Sequence, residues 1–255
     1  MPRLPSWILL FLAAATVRAD PPALLARALQ KVVDDRERWA YTQTAVWRDG
    51  RDRVLNTTVL RVDPSQPYER QYVPLSINGR PPTAAEIQKY RALGERHGRA
   101  LEKAENAGRP PPGRSLGDLV ELDRAAVVSQ DAATVIYEVP LRADNNERFP
   151  PDKFQVLIAV DRQSQSLRHV SAHLRAPWRK AVVLNVKSGE LDVDFAAVDA
   201  KHNPAMTAIR GDGRGSVLFL PLGRSYEQTR ADFKHVRPFD ERFGVKIGPI
   251  KALDF

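Results

Sequence analysis

Apolar side chains recur at every second position through much of this chain, and that period constrains its fold more than any other feature. Trp39, Tyr41, Gln43, Ala45 and Trp47 share one face of an extended run, and Asp49-Gly50 supplies a tight turn into a second run over 54–60. A third run over 70–77 ends at Asn78-Gly79 and contains Pro74, whose missing N–H assigns it to a sheet edge. Val135, Tyr137, Val139 and Leu141 alternate, as do Phe154, Val156, Ile158 and Val160, and a loop at 161–166 leads into 167–174. The spacing then predicts a hairpin of 181–186 and 191–198 turned at Lys187-Ser188-Gly189-Glu190, a flexible turn at Gly211-Asp212-Gly213-Arg214-Gly215, and strands over 217–222 and 226–236. Ten or eleven short strands joined by tight turns make a strongly curved antiparallel sheet, in a mainly β chain of α+β type.

Two stretches break the pattern. Asp20 caps and Pro21 opens a helix in which Leu24, Leu25, Ala28, Leu29, Val32 and Val33 line one face and Arg27, Gln30, Lys31, Asp34 and Asp35 the other. Thr83-Ala84-Ala85-Glu86 is a capping box that starts a more charged helix over 84–105, followed by a proline-rich link at 108–113 and a short helical turn at 116–122. Several strands are apolar on both faces. With the helices covering one side, the other is either filled by its own side chains or left as an apolar cavity.

The N-terminus sets an expected compartment. Arg3 precedes the apolar run Trp7 to Ala15, and Val17-Arg18-Ala19 offers a cleavage site, so 1–19 reads as a secretory signal peptide and 20–255 as a single mature domain with a helical insertion at 81–115. The run is about half the ~20 apolar residues a membrane span requires, so no transmembrane segment is expected. There is no cysteine, hence no thiol for a lipid anchor and no disulfide, and core burial must hold the fold. The expected location is the periplasm, with the protein soluble and monomeric.

Removing Arg3 and Arg18 from the 39 basic residues leaves 37 against 31 acidic ones, a surplus of six. That excess permits attraction to anionic surfaces. The basic residues are interspersed with acids, as in Arg48-Asp49-Gly50-Arg51-Asp52-Arg53, without the basic stripe and interleaved aromatics of a nucleic-acid groove, so no nucleic-acid partner is expected.

Catalytic signatures do not emerge. His169 and His173 have the spacing of a helical zinc site but lie in a strand pattern, about 13 Å apart at ~3.3 Å per residue. Asp192 and Asp194 share one face of a strand, and Glu121 and Asp123 have the same spacing. The plain reading of the aspartate pair is a solvated face, opposite Leu191, Val193 and Phe195. No Gly-x-Ser-x-Gly or His-Glu-x-x-His occurs. Neither a metal nor another cofactor is expected, and the chain reads as noncatalytic.

The order of features resembles the LolA/LolB-like superfamily of periplasmic lipoprotein carriers. The likeness rests on the signal peptide, the helix over 20–38, the strand Trp39-Ala40-Tyr41-Thr42-Gln43-Thr44, Leu116-Gly117-Asp118-Leu119, Tyr137-Glu138-Val139-Pro140, and the strand from Phe154 to Asp161. It implies an unclosed β-barrel with helices as a lid and an apolar interior for acyl chains, so the expected ligands are lipid or lipoprotein acyl groups. Candidate cavity-wall residues are Trp39, Tyr41, Trp47, Tyr137, Val139, Phe154, Val156, Ile158, Leu191, Val193, Phe195 and Phe219. Residues 80–115 exceed the plain carrier pattern. They leave open a second reading, a sensor or accessory module that binds a membrane-associated protein through the charged helix. A third is a hydrolase with an unrecognised site, for which Asp192, Asp194 and His173 are the residues to substitute in an activity screen.

Overall fold

The computed structural model describes residues 23–35, 37–108, 115–143, 150–180, 184–217 and 220–239. In chain order these form α1 (Ala23–Asp34), β1 (Trp39–Asp49), β2 (Val54–Val62), β3 (Tyr72–Ile77), α2 (Ala84–Asn106), α3 (Leu116–Leu119), β4 (Ala126–Gln130) and β5 (Thr134–Glu138). There follow β6 (Phe154–Asp161), β7 (Ser166–Leu174), β8 (Trp178–Lys180), β9 (Leu184–Ala196), β10 (Ala205–Val217) and β11 (Leu220–His235). The eleven strands make one open antiparallel sheet in the order β3-β2-β1-β11-β10-β9-β7-β6-β5-β4, with β8 added beside β9. This is the curved, unclosed architecture that the alternation predicts. The signal segment, the Asp20-Pro21 helix start, residues 109–113 of the proline-rich link and Phe219 lie outside the described residues.

One row of directly opposed residues crosses nearly the whole sheet. Tyr137 faces Ile158, Ile158 faces Val170, and Val170 faces Val193. The row continues through Ile209, Gln228, Ala45 and Thr58 to Ile77. Opposed residues in an antiparallel ladder point to the same side, so this row marks one inner face. On its first half lies α1, whose Leu25, Ala28 and Leu29 join Val135, Tyr137, Val139, Val156, Ile158, Val160, Leu167 and Val170 in one buried cluster. Each large side chain fully buried there contributes roughly 1.5–3 kcal/mol. The helix thus lies on the same face as the apolar row, not across the sheet from it. The expected division into a helix-covered side and a hollow side is replaced by one inner face, half filled and half open.

Helix α2 packs differently. Its two glycines, one turn apart, rest on the turn at Tyr68–Arg70: a Cβ on Gly94 would lie 1.8 Å from the Tyr68 carbonyl oxygen, and one on Gly98 would lie 2.3 Å from the Tyr68 ring. Only glycine lets the helix approach so closely. Its N-terminus carries the expected capping box. The Thr83 amide donates to Glu86 Oε2 at 2.7 Å, the Glu86 amide donates to Thr83 Oγ1 at 3.3 Å, and Arg80 clamps the same carboxylate. Arg80 and Thr83 hold the Glu86 pKa down from 4.5 to about 2. A depressed carboxylate stabilises the fold above its unfolded pKa and loses that contribution as pH falls through the folded one. Acidification from about pH 4.5 to 2 is therefore expected to fray the first turn of α2, seen as lowered amide-exchange protection, relative to the unfolded-chain rate at the same pH, at Thr83 and Glu86.

Three sequence expectations fail in the second half of the chain. Lys187-Ser188-Gly189-Glu190 is not a turn but the middle of β9, a single 13-residue strand whose start pairs antiparallel with β8; residues 181–183 of the expected hairpin lie outside the described residues. Gly211–Gly215 is not a loop; it lies inside β10, paired to β9 and β11 at once. Of the strand expected over 217–222, Val217 ends β10 and 220–222 begin β11, with 218 and 219 outside the described residues, and β11 runs on as one 16-residue strand. The cause is backbone proximity. A Cβ on Gly215 would lie 2.4 Å from the Asn185 carbonyl oxygen, and one on Gly223 would lie 2.9 Å from the Gly50 Cα, so these glycines serve a tight ladder and not a turn. The short helical turn at 116–122 divides into α3 and a 3-10 turn at Leu122–Arg124.

Candidate functional site

Beyond the end of α1 the inner face opens into a hollow of about 370 Å³, walled on four sides. The sheet contributes Trp39 and Tyr41 from β1, Val62 from β2, Tyr72 from β3 and Arg230 from β11; α1 and its exit contribute Val32, Asp35 and Glu37. His97 of α2 closes one side, and Pro204, Ala205 and Met206 close another. The volume falls within the usual range for small-ligand sites.

Local backbone irregularity shapes this wall. Between Ala40 and Thr42 the pairing of β1 with β11 slips, and Asp232, in the extra stretch of β11, takes φ of 53°. Such a bulge bends the strand and re-aims neighbouring side chains. Arg61 steadies it by donating to the Asp232 carbonyl at 3.1 Å. Glu37, between α1 and β1, also has a positive φ, 65°, and its carboxylate meets His97 Nε2 at 3.2 Å, tying α2 to the rim. Two non-glycine residues held in left-handed backbone beside one hollow are the kind of strain that concentrates at binding sites.

Arg230 is the chemically distinctive member. Its guanidinium carbon sits 4.2 Å from the centroid of the Tyr41 ring, a cation–π contact. The Gln228 amide satisfies both its neighbours when its nitrogen faces the Tyr226 hydroxyl, at 2.5 Å, and its oxygen accepts from Arg230 Nε at 3.0 Å and Nη2 at 3.2 Å. Burial pulls the Arg230 pKa below its ordinary value, partly offset by Tyr41 and Tyr226. Burial also raises the Tyr41 hydroxyl; Arg230 opposes that shift and Glu37 adds to it. Among the described residues no carboxylate forms an ion pair with Arg230.

At the inner end, Trp39 is 7% exposed and meets His202, Phe233 and His235 edge to face, while His202 and His235 stack at 3.6 Å. At the other end the inner face reaches the surface: Trp47 and Tyr226 meet at a tilted angle with ring centroids 4.3 Å apart, beside Leu191, with Trp47 41% and Leu191 43% exposed.

The candidate wall residues therefore divide. Trp39 and Tyr41 line the hollow, and Trp47 and Leu191 lie on the exposed continuation of its face. Tyr137, Val139, Val156 and Ile158 belong to the filled cluster beneath α1, with Val193 and Phe195 packed against it. Phe154, at the start of β6, is partly buried. Arg230, His97 and Glu37 were not singled out by sequence. Arginine is abundant in this chain, and Arg230 follows Tyr226 and Gln228 at the strand period, a polar-aromatic alternation that is the only signal pointing to it.

The residues weighed for catalysis lie on the opposite face. There His169 bridges Asp192, at 3.1 Å from Nε2, and Asp194, at 2.8 Å from Nδ1. Arg210 donates to Asp194 at 2.7 Å. Burial raises the Asp194 pKa, but His169 and Arg210 together outweigh it and leave the carboxyl below its ordinary value. This partly exposed ion-pair cluster adjoins no described cavity, and among the described residues no group of three or more His, Asp or Glu is placed to hold a metal. No described helix is long and apolar enough to cross a membrane. Comparison with protein-family models, with curated proteins and with solved structures finds no match to this chain, so the reading of the site rests on its own geometry.

Proposed function

We propose that the protein is a noncatalytic carrier, exported to the periplasm, that shields the acyl chain of a lipid or lipoprotein in the hollow between α1, α2 and β1. The observation that carries this reading is the unfilled half of the inner face, where Trp39, Tyr41, Val62, Tyr72 and Met206 present apolar surface to a space that α1 does not enter. Each methylene moved from water into such a space is worth about 0.8 kcal/mol, so even a medium chain would be held firmly. The resemblance to the LolA/LolB-like carriers supports the same conclusion, since an open sheet with helices against its inner face is the scaffold those proteins imply.

Native mass spectrometry after mild purification, together with uptake of a fluorescent fatty acid, tests the proposal. Met206 is partly buried and lines the hollow, so Met206→Trp should fill it. Uptake is expected to fall at least tenfold in that variant with little change in melting temperature. A wild-type protein that takes up no fatty acid and carries no lipid would overturn the carrier reading.

A further inference from the structure

We infer that the hollow selects single-chain amphiphiles with an oxyanion head, carboxylate or phosphate, and that Arg230 is the residue that binds that head. The inference rests on the carrier reading and adds the chemistry of the ligand. A guanidinium is expensive to hold among aromatic and apolar side chains unless a negative partner compensates it. The two acids on the same wall are turned to other partners: Glu37 meets His97 at 3.2 Å, while Asp35 accepts from the Asn203 amide at 3.2 Å and lies 3.8 Å from His235.

Arg230 is also held ready. Tyr41 supports the face of its guanidinium, and Gln228 engages Nε and Nη2 through one oxygen. Among the described residues Nη1 has no hydrogen-bond partner, which leaves a donor for an incoming oxygen. A fixed fork loses little freedom on binding, and planar guanidinium matches carboxylate and phosphate oxygens. With the head at Arg230, the hydrocarbon lies against Trp39, Val62, Tyr72 and Met206. One wall thus provides both halves of an amphiphile site.

A charge-assisted hydrogen bond of this kind corresponds to roughly 10- to 100-fold in affinity. Titration calorimetry at neutral pH with dodecanoate, dodecyl phosphate and dodecanol, each below its micelle concentration, tests the inference. Wild-type protein is expected to bind at least one of the two anions tenfold or more tightly than the alcohol. Preference for the carboxylate assigns fatty-acid anions as the source, and preference for the phosphate assigns phospholipid-type heads. Arg230→Met should remove the preference while alcohol binding persists, and Arg230→Lys should keep part of it. Equal affinity of wild-type protein for the alcohol and both anions overturns the role of Arg230 and leaves the acyl carrier standing. Binding of none of the three overturns both. The wild-type comparison decides the matter even where a variant fails to fold.

Discussion

Ile158→Ala should lower stability by about 4 kcal/mol, one of the largest losses available to a single truncation in this protein. The side chain is 0% exposed and sits at the crossing of the inner row with α1, between Tyr137 and Val170. Removing it forfeits burial and leaves a cavity that rigid strands on both sides cannot close, and large-to-small changes of this kind cost 2–5 kcal/mol. At roughly 2–4 °C per kcal/mol for a chain of this size, the melting temperature should fall by about 8–16 °C in a calorimetric scan. A drop of only a degree or two would mean that α1 does not seal this part of the sheet. Ile158 was named from sequence as a cavity-wall candidate, and the experiment therefore also separates the filled from the open part of the inner face.

The second large effect concerns α2. In an ordinary helix interior, replacing glycine by alanine gains up to ~1 kcal/mol through propensity. At Gly94 the sign should reverse, because the new Cβ would come within 1.8 Å of the Tyr68 carbonyl oxygen and neither backbone can yield without separating. Overpacking of this sort costs about 1–3 kcal/mol. Gly94→Ala is expected to lift α2 from the Tyr68–Arg70 turn and loosen the Glu37–His97 tie at the rim of the hollow. Faster tryptic cleavage at Arg91, Arg96 and Arg99, before any global unfolding, is the readout. Cleavage at the wild-type rate would show that the close approach does not hold the helix.

The parts of the fold that were legible in sequence are those where side-chain pattern alone decides the outcome. The hairpin of β1 and β2 has clean alternation and an Asp-Gly turn, α1 has one apolar stripe, and Thr83 and Glu86 announce the start of α2. The strands that were missed are those whose reasons lie in their neighbours. β4 is Ala-Val-Val-Ser-Gln with every residue exposed, so it carries no alternation to read. β8 has only three residues. β10 contains Gly211-Asp212-Gly213-Arg214-Gly215, whose composition suggests a turn, yet ladders on both sides take up its backbone groups. Local preference gave way there to tertiary pairing. The site was half legible for a related reason. Aromatic residues of β1 could be assigned to the inner face by period, but nothing in the sequence tells that α1 would cover Tyr137 and Ile158 and stop short of Tyr41. Nor does it tell that the bulge at Asp232 would set Arg230 beside that ring.

An open sheet has two flanks, and this one protects them unequally. At β3, Pro74 removes an amide and α2 lies alongside, so little of that border is available to another chain. At β4, among the described residues, nothing comparable intervenes: Val127 and Val128 are half exposed on a short outermost strand. Crowding or partial heating should therefore drive self-association from the β4 side first, and a lysine at Val128 would be the economical way to keep concentrated preparations dispersed.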